Sequence, residues 1–288
     1  VEGWINDGKH LSAIARSLYK SEASRLPTLS AVINRSASAA DHAAIIDAMG
    51  VAASLYGEGT KAAKDVFMQA MRELAQRGDA NWAHHIWHSR EFRVLIKDLE
   101  PSERAELLGA LASLREIDYQ AEEILFAIAK YDALAVLEYL LGRLAEDRVR
   151  RQRNPELSLL NDEKYEAIPF QLHKLNEPLA KVPEAVITAL RKDFESEDRA
   201  MFIFRGARLI KAIFPTFGEP LEGQLRKLVD GGDPNDIEFV LAILRTYEGS
   251  AAILEVGKAI VRAVPERSGF WNELAAAIET TGVVFGEY

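Results

Sequence analysis

Cysteine is absent from the 288 residues. That removes disulfides, thiolate metal ligands and a cysteine nucleophile, and it favours a reducing compartment, with the cytoplasm as the expected location. No apolar run approaches the roughly 20 residues that a membrane-spanning helix needs. The opening Val1-Glu2-Gly3-Trp4 has neither the basic n-region nor the apolar h-region of a secretion signal. A basic excess is also missing. The net charge is −9, with 16 basic against 20 acidic residues in 1–144 and 19 against 24 in 145–288. General nucleic-acid affinity, which needs dense phosphate neutralisation, is therefore not the leading expectation. Alternation of period two is confined to Val283–Phe285, so no sheet is expected. The serine-hydrolase elbow, the dinucleotide fingerprint and the zinc-protease signature do not occur. Gly57-Glu58-Gly59 is no phosphate loop, since Lys61 is followed by Ala62 where such a loop has serine or threonine. No cofactor is expected, and the chain does not read as an enzyme.

What is present is helical periodicity. In Tyr119 to Leu144, Ile124, Leu125 and Ile128 form one apolar stripe. Leu134, Leu137, Leu140, Leu141 and Leu144 form the next. Lys130-Tyr131-Asp132 between them leaves room only for a tight reversal of two antiparallel helices. A similar unit returns at Asp236 to Val264, where Ala242-Ile243-Leu244 answers Ala127-Ile128-Ala129 and Tyr247-Glu248 answers Tyr131-Asp132. The offset of 116 residues fits three helix-pair repeats of roughly 39 residues.

Further helices are expected along the chain. Asn6-Asp7 is the candidate cap for a stripe at Leu11, Ile14 and Leu18, and helices are expected over about 40–55, 60–76, 82–88 and 102–117. In the second half they are expected over 183–194, 199–214, 221–229 and 268–280, with a C-cap at Thr281-Gly282. Asp233 reads as a cap before Pro234, with Asp236 in the capping-box position. Only Pro27 and Pro101 precede residue 145, and the other eight prolines follow it. The segment 146–168, broken by Asn154-Pro155, has no sustained stripe. The expected organisation is N-terminal helical repeats over 1–145, a long loop or joint over 146–168, and C-terminal repeats over 169–288. Because the chain starts without methionine and ends in a half-apolar phrase, it reads as a fragment of a longer protein.

Taken together, these helix pairs resemble the HEAT and armadillo α-solenoids, most clearly over 101–144 and 233–280, less closely over 183–230 and least over 1–100. The resemblance implies an all-α, right-handed solenoid of antiparallel helix pairs with a concave face. The proline-rich centre and the short helices around Trp82 depart from a regular array. The resemblance transfers no catalytic residues.

Three constellations stand out. Arg143, Arg148, Arg150, Arg151 and Arg153 are a basic cluster that suits phosphate, nucleic acid or an acidic partner. They also suit a solvated helix end diluted by Glu146 and Asp147. Arg205, Arg208 and Lys211 fall at i, i+3 and i+6 of one expected helix, and Lys258 and Arg262 occupy a comparable place in the later repeat. Asn81 to His88 holds three of the six histidines. On a helix His84 and His88 would point the same way, a spacing that can bind metal, although exposure to water with Trp82 and Ile86 buried is the simpler reading. Glu195, Glu197 and Asp198 read as a solvated turn. The function expected is that of a non-enzymatic scaffold whose surface binds a protein partner or other domains of the parent chain. The alternatives are nucleic-acid binding through the basic rows and a small-molecule or metal site at His84, His85 and His88.

Overall fold

The computed structural model describes residues 2–19, 25–153, 165–247 and 251–263. Every regular element among them is a helix and no strand occurs, in keeping with the all-α expectation. The chain divides into two compact units, Val1–Tyr139 and Leu140–Tyr288.

Unit 1 contains α1 (Glu2–Asn6), α2 (Leu11–Ser17), α3 (Leu26–Ala39), α4 (His42–Gly57), α5 (Ala63–Gln76), α6 (Trp82–Ile86), α7 (Arg90–Lys97), α8 (Pro101–Ala110), α9 (Tyr119–Ala129) and the start of α10 (Ala133–Arg153). Its hub is α4, which packs on α2, α3, α5, α6 and α7. The segment HAAIIDAMGVAASLYG is apolar or small on every side, the pattern of an interior helix, and it buries Ile45, Met49 and Leu55 completely. The Asp41 carboxylate starts α4 by accepting from the Ala44 amide at 3.1 Å. Glycine is required at its end. A Cβ on Gly57 would sit 2.6 Å from Glu91 Cγ on α7.

Asn6-Asp7 does not cap α2. Asn6 closes α1, and α2 opens at His10, a left-handed residue with φ 59° and no side-chain cap. Pro101 does open α8, helped by a reciprocal pair between Glu100 and Glu103. This helix stops at Ala110 rather than near 117, because the chain must become extended at Asp118, whose carboxylate caps α9 at Ala121 N, 2.9 Å away. The reversal at Lys130-Tyr131-Asp132 is as short as expected, with Asp132 accepting from Ala135 N at 3.0 Å.

Unit 2 holds the rest of α10, then α11 (Asn176–Leu179), α12 (Pro183–Ser196), α13 (Arg199–Phe204), α14 (Gly206–Ile213), α15 (Glu219–Gly231), α16 (Pro234–Leu244) and α17 (Leu254–Ala263). The expected loop 146–168 begins instead as further turns of α10. Ion pairs Glu146–Arg150 at 2.9 Å and Asp147–Arg151 at 3.0 Å, both four residues apart, sustain the helix without an apolar stripe. The breaker Asn154-Pro155, Glu248, the expected helix 268–280, Thr281-Gly282 and Val283–Phe285 lie outside the described residues.

The expected helix 199–214 is split at Arg205 into α13 and α14. Gly206 sits against the Phe202 ring, which a Cβ at this position would run into. Phe202 meets Phe194 and Phe239 at ring separations of 5.0 and 5.6 Å, the aromatic centre of this unit.

The two segments that match in sequence correspond in their first helix. Both α9 and α16 have 11 residues and follow an aspartate cap. Beyond that the copies diverge. Tyr131 is 49% exposed and leads directly into α10, whereas Tyr247 is 2% exposed and is followed by a 3-10 turn at Ala251–Ile253. Its hydroxyl donates to the Phe214 carbonyl at 2.5 Å. Asp233 caps α16 as expected. Asp236, however, accepts from Arg191 Nε at 2.5 Å instead of closing a capping box.

Candidate functional site

The basic cluster of α10 is largely turned into unit 2. Arg143 is 3% exposed and donates to the carbonyls of Ala167 and Glu166, at 2.9 and 2.7 Å, with Tyr165 under its guanidinium. One helical turn on, Arg148 and Arg151 reach the C-terminal end of α12 and the residue after it, Glu197. Arg148 pairs with Asp193 and, at 3.1 Å, with Glu197. Arg151 pairs with Asp147 at 3.0 Å and Glu197 at 2.7 Å. Arg205, in the break between α13 and α14, reaches Asp147 at 3.1 Å. Three arginines and three carboxylates thus form one charge lattice joining α10, α12 and the α13–α14 break.

The lattice tunes its members unequally. Burial opposes the charge of Arg148 and Arg151, but hydrogen bonds to Asp193 and Glu197, and to Glu197 and Asp147, hold both guanidiniums protonated above their ordinary value. Burial also opposes ionisation of Glu197, yet the two arginines it shares keep it below the usual carboxylate range. For Asp193 burial wins and pushes its carboxyl up, with Arg148 offsetting only part.

The remaining basic candidates do not converge. Arg150 is exposed, pairs with Glu146 and lies over the Tyr165 ring at 4.4 Å, and Arg153 is exposed at the end of α10. Because the helix breaks at Arg205, Arg205, Arg208 and Lys211 do not form one row. Arg208 stacks over Phe170 at 4.7 Å. Lys211 lies 4.1 Å over the Tyr247 ring, where burial lowers its pKa. Lys258 is bonded to Glu255 at 2.8 Å, and Arg262 is exposed.

The histidine segment also differs from the metal-binding picture. Helix α6 ends at Ile86, so His84 and His88 do not share a helical face. Trp82 and Ile86 are buried and all three histidines are exposed. His84 Nδ1 lies 3.4 Å from Asp118 at the start of α9. Among the described residues no three histidine, aspartate or glutamate side chains are placed to hold a metal ion. His85 and His88 nevertheless line a cleft of about 500 Å³ in unit 1. Its other walls are α4, the end of α2 with Arg16 and Tyr19, and the first residues of α7, Arg90 and Glu91.

Sequence reading missed Asp147, Asp193 and Glu197 as structural partners and Arg16, Tyr19 and Asp47 as neighbours of the histidines. Glu197 read as part of a solvated turn, yet its side chain is 6% exposed. Of that turn, Asp198 instead caps α13 through the amides of Ala200 and Met201. Apart from Asp147–Arg151, four residues apart, these pairings span tens of residues in sequence and no short-range signal marks them.

No helix among the described residues is long and apolar enough to cross a membrane. Comparison with protein-family models, with curated proteins and with solved structures found no match to this chain.

Proposed function

We propose that the chain is a non-enzymatic interaction module, a scaffold whose helix pairs stack in HEAT-like fashion and offer their outer surface to another protein or to another domain of a parent chain. The observation that carries this reading is an aromatic and arginine surface on unit 2. Phe170 is 71% exposed beneath the Arg208 guanidinium, and Phe204, four residues before Arg208, is 69% exposed. Exposed aromatics beside arginine are the side-chain chemistry enriched where proteins bind one another. The engagement of Arg143, Arg148, Arg151 and Arg205 with carboxylates and carbonyls of their own unit supports the same reading over nucleic-acid binding, because those charges neutralise each other instead of facing phosphate.

The stacked-pair element of the proposal draws on the likeness of α9 and α16 and on packing between near neighbours in sequence, α15 with α16 and α17. The hub arrangement around α4 confines it to the helices from α8 onward. A cytoplasmic setting belongs to the same proposal and rests on the cysteine-free sequence.

The test is site-specific photo-crosslinking in the native cell. A photoreactive residue at Phe204 should trap a discrete protein that the same residue at Lys192, exposed on α12, does not. Equal labelling at both positions would overturn the proposal. So would tight binding of an oligonucleotide at low salt with a steep salt slope.

A further inference from the structure

We infer that the cleft of unit 1 binds a phosphate-bearing small molecule, with His85, His88 and Arg90 as donors to the anion and Tyr19, Ile46 and Val51 as the wall for its organic part. At about 500 Å³ the cleft has the capacity of an ordinary small-molecule site. Its two carboxylates are already engaged. Asp47 accepts from the Ser12 hydroxyl and pairs with Arg16 at 3.5 Å. Glu91 accepts from the Ser89 hydroxyl at 3.0 Å.

The donors are not engaged. Among the described residues the side chains of His85, His88 and Arg90 make no hydrogen bond or ion pair; the His88 ring meets Trp87 at 5.4 Å, and Arg90 acts on the neighbouring Glu91 only through space. Arg90 is also the first residue of α7, where the positive end of the helix dipole adds to its charge. A guanidinium fork and two imidazoles lining one cleft match the several oxygens of a phosphate better than the two of a carboxylate. From α4 the cleft is lined by Ile46, Gly50, Val51 and Ala53 beside Asp47 and Ser54, and Tyr19 adds its ring, an apolar and aromatic share that suits a ring or short hydrocarbon attached to the phosphate.

Isothermal titration calorimetry of the full chain with phenyl phosphate, inorganic phosphate and benzoate tests this. Phenyl phosphate should bind most tightly, inorganic phosphate more weakly and benzoate weakest. The double variant His88→Gln, Arg90→Gln should weaken phenyl phosphate at least about tenfold with an unchanged melting temperature, as both residues are exposed. Tyr19→Ala should weaken phenyl phosphate while leaving inorganic phosphate alone. If the double variant melts early, Arg90→Lys replaces it, keeping the charge and losing the fork. Absence of heat with both phosphates, benzoate binding as tightly as phenyl phosphate, or wild-type affinity in a well-folded variant would each overturn the inference.

Discussion

The charge lattice of unit 2 makes a quantitative claim. Side-chain exposure in it runs from 6% for Glu197 to 17% for Arg151, with Arg205 at the edge at 33%, so the pairs of Arg148 and Arg151 are removed from most of the solvent. Arg148→Met deletes the one lattice arginine that reaches Asp193, while Glu197 keeps Arg151. Removing one member of a buried pair costs about 3–5 kcal/mol. The lower end, about 3 kcal/mol, is expected because Asp193 can take up a proton, which burial already favours. Linkage then fixes the pH dependence. A carboxyl with a raised folded-state pKa holds its proton more readily folded than unfolded, so its contribution is present at acid pH and lost as pH rises through the folded value. Without Arg148 that value rises further. The substitution should therefore cost more near about pH 7 than near about pH 4. Hydrogen exchange read by mass spectrometry should show the amides of α12 losing about a hundredfold in protection at neutral pH. Arg148→Met with Asp193→Leu should restore most of it, since an apolar pair of similar volume replaces a buried ion pair at little cost. Protection unchanged in the single variant, or no better in the double variant, would refute the reasoning.

Gly206→Ala should destabilise unit 2 by about 1–3 kcal/mol in urea unfolding, because the new Cβ would meet the Phe202 ring. Tyr247→Phe should lower stability by about 1 kcal/mol through the orphaned Phe214 carbonyl. In the wild type, burial pushes the Tyr247 hydroxyl well above the ordinary tyrosine value. Its contribution to stability is present below that ordinary value and lost as pH rises toward the folded one, so spectrophotometric alkaline titration should show one tyrosine ionising only with unfolding. Asp118→Ala removes the cap of α9 and should cost about 1 kcal/mol in thermal unfolding. Phe170→Ser should stay within about 0.5 kcal/mol of wild type, the ring being exposed, and should abolish the crosslink from the photoreactive residue at position 204.

Helices were legible wherever a local signal was complete. The stripes of α9 and the start of α10, the cap at Asp233, and Pro101 in the first turn of α8 each need only a few neighbouring residues, and the chain obeys them. Where the deciding interaction is distant, the reading failed. Helix α10 outlasts its apolar stripe because Arg148 and Arg151 are held by α12 as well as by their own helix. The break at Arg205 depends on how closely the Phe202 ring packs on Gly206, and a stripe of Phe202, Ile203, Leu209 and Ile210 gives no sign of it. Tyr131 and Tyr247 match in sequence, but only Tyr247 has the Phe214 carbonyl to receive its hydroxyl.

The same distinction governs the site residues. A run of arginines is a cationic surface only if the carboxylates that answer it lie elsewhere. Here Asp193 and Glu197 stand more than forty residues from Arg148, beyond any window in which charge can be counted along the chain. Glu197 and Asp198 are adjacent and look alike in sequence, yet one accepts from two arginines at low exposure and the other caps a helix. The histidines fail in the opposite direction. His84 and His88 have ligand spacing only if one helix carries both, and α6 is too short to do so. The turn that ends it sends His88 to the cleft and leaves His84 near Asp118. Spacing names a chemistry only after the backbone between the residues is known, and in this chain that backbone separates the metal pair and places His85 and His88 beside an unengaged arginine.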